Sequence, residues 1–489
     1  MTELTDFIVA IELGSSKVTG IAGRKNLDGS VTVLAAVRED SRSFIHRGVV
    51  SNIDKTAQCI TNIISKLSTQ LKTEIKRVYV GMGGQSIRSV KNSIVCTLPA
   101  STKVTVDMVN TLMDQNFGTR YPDKEILDVA VQEYRVDQQM QTEPVGIECT
   151  SLEGNFLNIL SRAAFYRNLN SCFEVAQVNV VEIFLAPMAL AEGVLTETER
   201  RSGCALVDLG ATTTTVSVYY KNILRHLVVI PLGSENINTD LTSLSMDESE
   251  AERMKLKYAS AYTDSADIDS TARLSIDAER QVESRKFIEV VEGRIMEIVE
   301  NVQYQIGASG YGDRLLGGLV ITGGGANMKN IERAFAEQFR SNVKIRIANT
   351  VSFPVDSKID FIKAQDCTAC TCLSLLFKGK ENCAGDKISN DIFSAKPNPQ
   401  PLNPTVGQQR PQNGPVIGTG SVAVDKKKQL EEEARLAEEA RQKAIEEEEA
   451  RKAEEEAKRK AEEERRRNSP WNKIKNSAKK IIDGLTTEE

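Results

Sequence analysis

Three short glycine-containing turns carry the residue types that could hold the phosphates of a nucleotide. They lie at residues 11–17, 207–213 and 321–326 and read IELGSSK, VDLGATT and ITGGGA. Glycine lets the backbone turn sharply and approach a ligand closely, and the freed N–H groups can surround phosphate oxygens together with Ser and Thr hydroxyls. An acid beside such a turn can hold Mg²⁺ through water, because Mg²⁺ keeps much of its hydration shell. The turns therefore predict phosphate and metal contacts.

The order of the turns is more informative than any one of them, because a glycine after a strand usually only ends the strand. The first two turns each join two strand-like runs, and their acids, Glu12 and Asp208, lie about 196 residues apart. A run of three glycines, 323–325, follows the second copy. This order predicts an internal duplication.

The elements that must position these turns are strands, because each turn follows an apolar run. Residues 7–13, 18–22 and 31–37 are strand-like around the first turn, and residues 205–210, 213–220 and 223–230 repeat that pattern around the second. Strands that alternate with helical patterns predict an α/β fold. The other predicted elements are helices at 54–71, 106–117, 248–259, 282–306 and 330–340, a helix–strand–helix at 164–194, strands at 78–80 and 318–322, and short strands within 85–162.

The composition predicts a cytosolic protein of several domains. A chain of 489 residues is long enough for two or more domains. Its net charge of −6 argues against general nucleic-acid binding. Nine cysteines, an odd number with mostly apolar neighbours, predict reduced thiols. The acidic N-terminus is unlike a signal peptide, and no run approaches the ~20 apolar residues of a spanning helix, so any membrane contact is expected to be peripheral.

The chain changes character near residue 384. Residues 394–421 are rich in Pro, Gly, Gln and Asn, which predicts a flexible linker over about 384–425. Residues 426–468 consist almost wholly of Glu, Lys, Arg and Ala, and their acidic and basic blocks alternate about four residues apart. That spacing predicts a solvated helical arm. The alternative is a solubilising spacer.

The last segment, residues 469–489, has the pattern of an amphipathic helix. Ser469 suits the N-cap and Pro470 the first helical position. A long polar arm separates this stripe from any globular core, so another surface must cover it. An anionic membrane fits best, and a partner protein is the alternative. The membrane-binding residues would be Trp471, Ile474, Ile481, Ile482 and Leu485 on the apolar stripe and Lys473, Lys475, Lys479 and Lys480 beside it.

Two other patterns carry no chemistry in our interpretation. The run Cys367-x-x-Cys370-x-Cys372 has no second clean pair for zinc and continues into the apolar residues 373–376, which favours a buried helix. The two histidines, His46 and His226, have no nearby pattern that suggests a catalytic triad. We therefore assign no catalytic residue.

In these motifs the chain resembles the actin-like ATPase superfamily and, within it, the FtsA family of bacterial cell-division proteins. The segments similar to FtsA are residues 11–18, 132–134 with 144–146, 224–226 and 251–255. The resemblance covers roughly residues 5–380 and the last 20, and the charged arm is longer than the family leads us to expect. It implies an α/β actin-like two-lobed ATPase fold with an FtsA-type inserted subdomain, called 1C, and a C-terminal tail. The implied boundaries are 1–84 and 163–195 for the first lobe (1A), 85–162 for 1C, 196–240 and 307–383 for the second lobe (2A), and 241–306 for its smaller subdomain (2B).

The resemblance also implies a site for ATP and Mg²⁺. The second turn usually reads Asp-x-Gly-Gly-Gly-Thr in this superfamily, whereas here Ala211 and Thr212 replace two glycines. The expected activity is therefore that of a weak ATPase at most. The implied nucleotide-binding residues are Gly14, Ser15, Ser16 and Lys17 at the phosphates from one lobe, Asp208, Gly210, Thr212 and Thr213 from the other with Asp208 near Mg²⁺, Glu252 and Lys255 by the ribose and adenine, and Gly323, Gly324 and Gly325 under the adenosine.

The partners that the resemblance implies are those of cell division. They are the tubulin-like protein FtsZ, further copies of the chain in actin-like filaments, anionic membrane lipid and later division proteins, at the septum on the cytoplasmic face of the inner membrane. FtsZ would bind near the helix at 287–294, whose apolar residues Phe287, Ile288, Val291 and Ile295 are read as core. Exposed neighbours such as Glu289, Glu292 and Arg294 would be the contacts. The alternatives are a pilus-assembly scaffold of the PilM type and a sugar or acetate kinase of the same superfamily.

Overall fold

Two mixed β-sheets organise the part of the chain that the computed structural model describes, residues 6–269, 271–339 and 343–384. These residues belong to the first of two compact units, residues 1–395. The predicted linker beyond residue 384, the charged arm (426–468) and the terminal helix (469–489) lie outside the described residues and stay predictions.

The strands, in chain order, include the short pairs that close loops. They are β1 (Ile8–Leu13), β2 (Lys17–Lys25), β3 (Val31–Asp40), β4 (Ile45–His46), β5 (Val49–Val50), β6 (Arg77–Met82), β7 (Arg88–Lys103), β8 (Lys124–Val136), β9 (Gln139–Gln141), β10 (Glu148–Arg162), β11 (Asn179–Leu185), β12 (Cys204–Leu209), β13 (Thr214–Tyr220), β14 (Ile223–Ile230), β15 (Arg273–Ser275), β16 (Gln281–Glu283), β17 (Gly318–Thr322), β18 (Ile345–Ile347) and β19 (Val355–Asp356).

The α-helices lie against these sheets or between them. They are α1 (Ile53–Leu71), α2 (Val106–Phe117), α3 (Ala163–Val175), α4 (Ala186–Val194), α5 (Glu197–Ser202), α6 (Glu235–Leu241), α7 (Glu248–Tyr258), α8 (Ser284–Ala308), α9 (Ile331–Phe339), α10 (Asp360–Lys363) and α11 (Cys370–Lys378).

The two lobes repeat one strand arrangement, as the predicted duplication requires. In lobe 1, the six-stranded sheet with α1, α3, α4, α10 and α11, β1 pairs antiparallel with β2 and parallel with β6, and β2 continues antiparallel to β3. In lobe 2, formed by β12, β13, β14, β17 and β18 with α6–α9, β12 pairs antiparallel with β13 and parallel with β17, and β13 continues to β14. The inner strands are buried on both faces, as their continuous apolar runs predict. The actin-like α/β fold is confirmed.

The segment between β6 and α3 forms a subdomain with its own core, which we call the insert (residues 85–162). The prediction of short strands there is wrong, because β7, β8 and β10 span 16, 13 and 15 residues. A pair of buried asparagines links α2 to β10 within the insert. Asn116 and Asn158, both buried, exchange side-chain hydrogen bonds of 2.7 and 3.0 Å. The buried core of the insert comprises Val104, Leu112, Tyr134, Val136, Cys149, Leu152 and Phe156.

A buried ion pair joins the insert to lobe 2. Arg225 on β14 is only 2% exposed and donates to both carboxylate oxygens of Glu133 on β8, at 2.7 Å each. Gln132 donates in turn to the carbonyl of Leu224 at 2.9 Å. Beside this contact, β14 and β7 pair at Val228 and Arg88, so the sheet of lobe 2 continues into the insert. Two of the segments that resemble FtsA, 132–134 and 224–226, therefore contact each other.

The cysteine-rich run near the end of lobe 1 forms a helix, as predicted. Cys370 and Cys372 lie in α11, and with Cys367 and Cys383 they are buried free thiols. Burial raises the pKa of the Cys370 thiol to about 12, which keeps it protonated and a poor metal ligand. Over the described ranges, no group of three or more His, Cys, Asp or Glu side chains is arranged to hold a metal ion, and no helix is long and apolar enough to cross a membrane.

We predict that Glu133→Ala destabilises the protein by about 3–5 kcal/mol, because it leaves the guanidinium of Arg225 buried without its charged partner. The measurement is the free energy of unfolding from urea titration. Glu289→Ala is the matched control, because its ion pair with Arg285 is exposed on both sides and is worth about 0.5 kcal/mol or less. Equal losses in the two variants would contradict the role of the Arg225–Glu133 pair.

Candidate functional site

A cavity of about 1050 Å³ lies between the lobes, and all three glycine-containing turns line it. Gly14, Asp208 and Gly323, one residue from each turn, therefore lie on the same cavity. The predicted site residues that line it are Gly14, Ser15, Ser16, Lys17, Asp208, Gly210, Thr213, Glu252, Lys255, Gly323, Gly324 and Gly325.

Thr212 is the predicted site residue that does not line the cavity. Its neighbours Ala211 and Thr213 do line it. The hydroxyl of Thr212 is instead buried without a hydrogen-bond partner among the described residues.

The first two turns have the same hydrogen-bonded geometry. The N–H of Gly14 donates to the carbonyl of Lys17 at 3.1 Å, and the N–H of Gly210 donates to that of Thr213 at 2.9 Å. A Cβ atom at either glycine would lie within 2.8 Å of the accepting carbonyl oxygen. Glycine is thus required for each turn to close, and the two lobes present equivalent backbone loops to the cavity.

The third turn is held against the second by a contact that leaves no room for a side chain. Gly323 has φ +86, and a Cβ there would lie 2.3 Å from the Oδ1 atom of Asp208. A Cβ at Gly325 would lie 2.9 Å from the Cβ of Leu209. Gly324 differs, since the nearest atom to its added Cβ would be 3.6 Å away. Gly323 therefore places the third turn directly on the acid of the second.

Two acids, Glu12 at the end of β1 and Asp208 at the end of β12, share the floor of the cavity. Burial raises the pKa of the Glu12 carboxyl to about 7, and the charge of Asp208 adds to that rise. Burial also raises the pKa of Asp208 to about 6. A cation between them would favour the ionised form of both, because an opposite charge lowers a carboxyl pKa. Glu12 was not predicted from sequence as a site residue. Its position in the first repeat, equivalent to that of Asp208 in the second, was the signal that could have indicated it.

Glu252 and Lys255 lie one helical turn apart on α7 and face the cavity together. Their side chains form an ion pair with an Nζ–Oε2 distance of 2.7 Å. Lys255 also donates to the carbonyl of Ser234 at 3.1 Å, and Glu252 accepts from Asn238 at 2.5 Å. Leu256, which is 77% exposed, lines the cavity beside them. The arrangement offers polar and apolar contacts from one helix.

The cavity also contains charged residues that sequence reasoning missed. Arg42 follows β3, Glu235 begins α6, and Asp366 lies in the loop before α11. These positions follow no phosphate-like motif, and their approach depends on the tertiary fold.

The helix α8 corrects the predicted partner-binding residues. Phe287, Val291 and Ile295 are buried, as expected of a core stripe, whereas Ile288 is only partly buried. The expectation that all three partner residues are exposed is wrong. Glu289 is exposed, but the Oε1 atom of Glu292 is buried without a partner in the described structure, and Arg294 forms ion pairs with Asp240 and Glu297. Arg294 is held toward α6 by its ion pair with Asp240.

Two α/β lobes that repeat one strand arrangement around such a cleft define an actin-like protein. Among solved structures, the PilM–PilN type IV pilus biogenesis complex is similar in fold, with a TM-score of 0.53 at 12% identity over 77% of this chain and 99% of that one.

Residues 205–363 match the family model "Cell division protein FtsA", and residues 84–160 match "SHS2 domain inserted in FTSA". The cell division protein FtsA of Porphyromonas gingivalis is 30% identical over 403 residues, which is 80% of this chain and 82% of that protein. FtsA of Escherichia coli is 26% identical over 397 residues, covering 78% and 93%. The chain belongs to the FtsA family of cell division proteins.

We predict that Gly323→Ala destabilises the protein by about 1–3 kcal/mol, since alanine is strained at a positive φ and its methyl group would collide with Asp208. Gly324→Ala is the matched control, because its added methyl group meets no close atom. Urea titration of both variants measures the difference. A loss for Gly324→Ala as large as that for Gly323→Ala would refute the proposed packing of the third turn.

Proposed function

We propose that the cleft binds ATP with Mg²⁺ and that the protein tethers FtsZ filaments to the membrane. The observation that carries the nucleotide assignment is the convergence of three backbone turns on one cavity, with Gly323 seated on Asp208. The phosphates would lie between the first and second turns, and the adenosine over residues 323–325 and beside α7. Asp208, with Glu12 opposite, would hold hydrated Mg²⁺.

The residues present fit this ligand on three counts. Two hairpin turns of the same geometry face each other, which suits a chain of phosphates approached from both sides. Lys17 lines the cavity and supplies positive charge beside the first turn. Burial raises the pKa of Glu12 to about 7 and that of Asp208 to about 6, and the charge of Asp208 adds to the rise at Glu12. A divalent cation beside them would favour the ionised form of both carboxyl groups.

We expect hydrolysis to be slow. Ala211 occupies a position in the second turn where the superfamily usually has glycine, and its side chain limits how closely the backbone can approach a phosphate. Tight positioning of the phosphates is what phosphoryl transfer requires. Binding and lobe closure, rather than turnover, would then set the state of the protein.

The tether would consist of the actin-like body, the arm of residues 426–468 and the amphipathic segment 469–489. A single amphipathic helix is a weak and reversible anchor, whereas a filament of many copies would bind far more tightly through multivalency. The pattern of apolar residues and lysines around Trp471 supports the membrane as the anchoring surface. The protein would then lie at the septum on the cytoplasmic face of the inner membrane and recruit later division proteins.

The proposed FtsZ-binding face is the smaller part of lobe 2, residues 241–306. Glu289 is the predicted contact that the fold leaves exposed on α8. Arg294 is engaged by Asp240, so we assign it a structural part in that surface. The pilus-scaffold alternative rests on the similarity of fold to PilM, whereas the relatives at 26–30% identity are division proteins.

We expect the full chain to bind the C-terminal tail peptide of FtsZ in a pull-down, more strongly with ATP and Mg²⁺ than without. Glu289→Lys should weaken capture by about three- to tenfold, because reversing an exposed charge at the interface removes electrostatic complementarity with the partner. Glu300→Lys on the same helix, also exposed, is the control. Retention of pilus-assembly components instead of the FtsZ tail would support the PilM-type alternative, and a phosphorylated small-molecule product would support the kinase.

Removal of residues 469–489, or Trp471→Glu, should release the protein from vesicles that contain anionic lipid. The reason is that a buried charge on the apolar stripe opposes insertion. Trp471→Phe keeps an apolar ring and should still sediment with the vesicles. If the truncated chain sediments as well as the full chain does, the anchor lies elsewhere.

A further inference from the structure

The loops that support the first and second glycine-containing turns are equivalent in the duplication. Ser41, which follows β3, donates its hydroxyl to the carbonyl of Gly14 at 2.7 Å. Ser234, which follows β14, donates its hydroxyl to the carbonyl of Gly210 at 3.3 Å. Each serine therefore braces the glycine of its own turn, one in lobe 1 and one in lobe 2.

The residue after each serine is charged, and the two charges have opposite signs. Arg42 follows Ser41, Glu235 follows Ser234, and both line the cavity between the lobes. The duplication thus places a guanidinium on one side of the cleft and a carboxylate at the equivalent position on the other. Neither residue belongs to the glycine-containing turns themselves.

Only one of the two side chains has a partner among the described residues, and that partner lies in its own lobe. Arg42 donates to Asp40 at 2.8 Å, and its side chain is 57% exposed. The carboxylate of Glu235 is half-buried and accepts no hydrogen bond from the described residues, whereas the nearby Glu252 is already paired with Lys255. The carboxylate of Glu235 is thus available to a new partner.

The charges already act across the cleft. Burial raises the pKa of Glu235, and the positive charges of Arg42 and Lys255 oppose that rise. The hydrogen bond with Asp40 raises the pKa of Arg42, and the charges of Glu235 and Glu252 add to it. Opposite charges attract more strongly as the distance between them falls and as water is excluded, and an approach of the two lobes would bring about both changes.

We propose that Arg42 and Glu235 form an ion pair between the lobes when the cleft closes, and that this pair slows release of the bound nucleotide. This inference rests on the proposed nucleotide site and names two positioning residues for it. Asp40 is the competitor, because it holds Arg42 within lobe 1. Closure exchanges the Arg42–Asp40 pair for the Arg42–Glu235 pair.

The test is a charge-reversal cycle on the full chain with a fluorescent ATP analogue carrying an N-methylanthraniloyl group, chased by unlabelled ATP. Arg42→Glu and Glu235→Arg should each speed release by about fivefold, the scale of a surface ion pair turned into a repulsion. The double variant, with the charges exchanged, should return to within about twofold of the original rate. Arg333→Glu with Asp264→Arg exchanges an exposed pair outside the cavity and serves as the control.

Asp40→Asn separates the proposed pair from a merely structural role of Arg42. It frees the guanidinium from its competitor, so release should become slower or stay unchanged. If the Arg42–Asp40 pair only supported the loop, Asp40→Asn would speed release as Arg42→Glu does, and the proposal would be wrong. Faster release by Arg42→Glu that the exchange does not restore, and that is larger for ATP than for ADP, would place Arg42 on a phosphate and also overturn it.

A cross-link reports on the pair without nucleotide. Arg42→Cys with Glu235→Cys should be joined by a short bismaleimide, found as a linked peptide by mass spectrometry and absent from each single variant. The native thiols give a low background, because eight of the nine are buried and Cys96 is half-buried. A chain that binds no nucleotide but forms this link would refute the nucleotide assignment and retain the pair. A chain that binds nucleotide but forms no link would refute the pair alone.

Discussion

The contact between the backbone of Gly323 and the carboxylate of Asp208 is the constraint on which the cleft depends. It brings the third turn into direct contact with the second, with no other side chain between them. The loops that follow β17 and β12 therefore lie side by side. The parallel pairing of these strands sets the register, and glycine at 323 supplies the positive φ that the turn needs. The other walls of the cavity are arranged around this fixed corner.

The duplication explains why the rest of the cleft could be assembled from a simple unit. Each lobe contributes a hairpin whose glycine closes the turn and whose following loop donates a serine hydroxyl back to that glycine. The two copies differ in the charges that they present to the cavity. Both strands β1 and β12 contribute an acid, Glu12 and Asp208, whereas the residues after the two serines, Arg42 and Glu235, have opposite charges.

Local patterns sufficed for most elements and failed where distant residues decide. The strands around residues 14 and 210 and the helices α1, α2 and α8 follow from apolar periodicity and turn glycines. The insert was predicted as short strands from local apolar runs, whereas β7 and β8 are long because both pair along the length of β10. Sequence could not place Arg42 at the cavity, because its approach depends on the tertiary fold, and it did not predict that Thr212 fails to line the cavity.

The insert has a mechanical consequence for the cleft. Its chain leaves lobe 1 after β6 and returns to it at α3, yet its edge strand β7 hydrogen-bonds to β14 of lobe 2 and Arg225 fastens the same seam. A rotation of the lobes must therefore either shear that seam or swing the whole insert with lobe 2 on its two covalent stalks. In both cases the position of the outer edge of the insert would change with the angle between the two lobes.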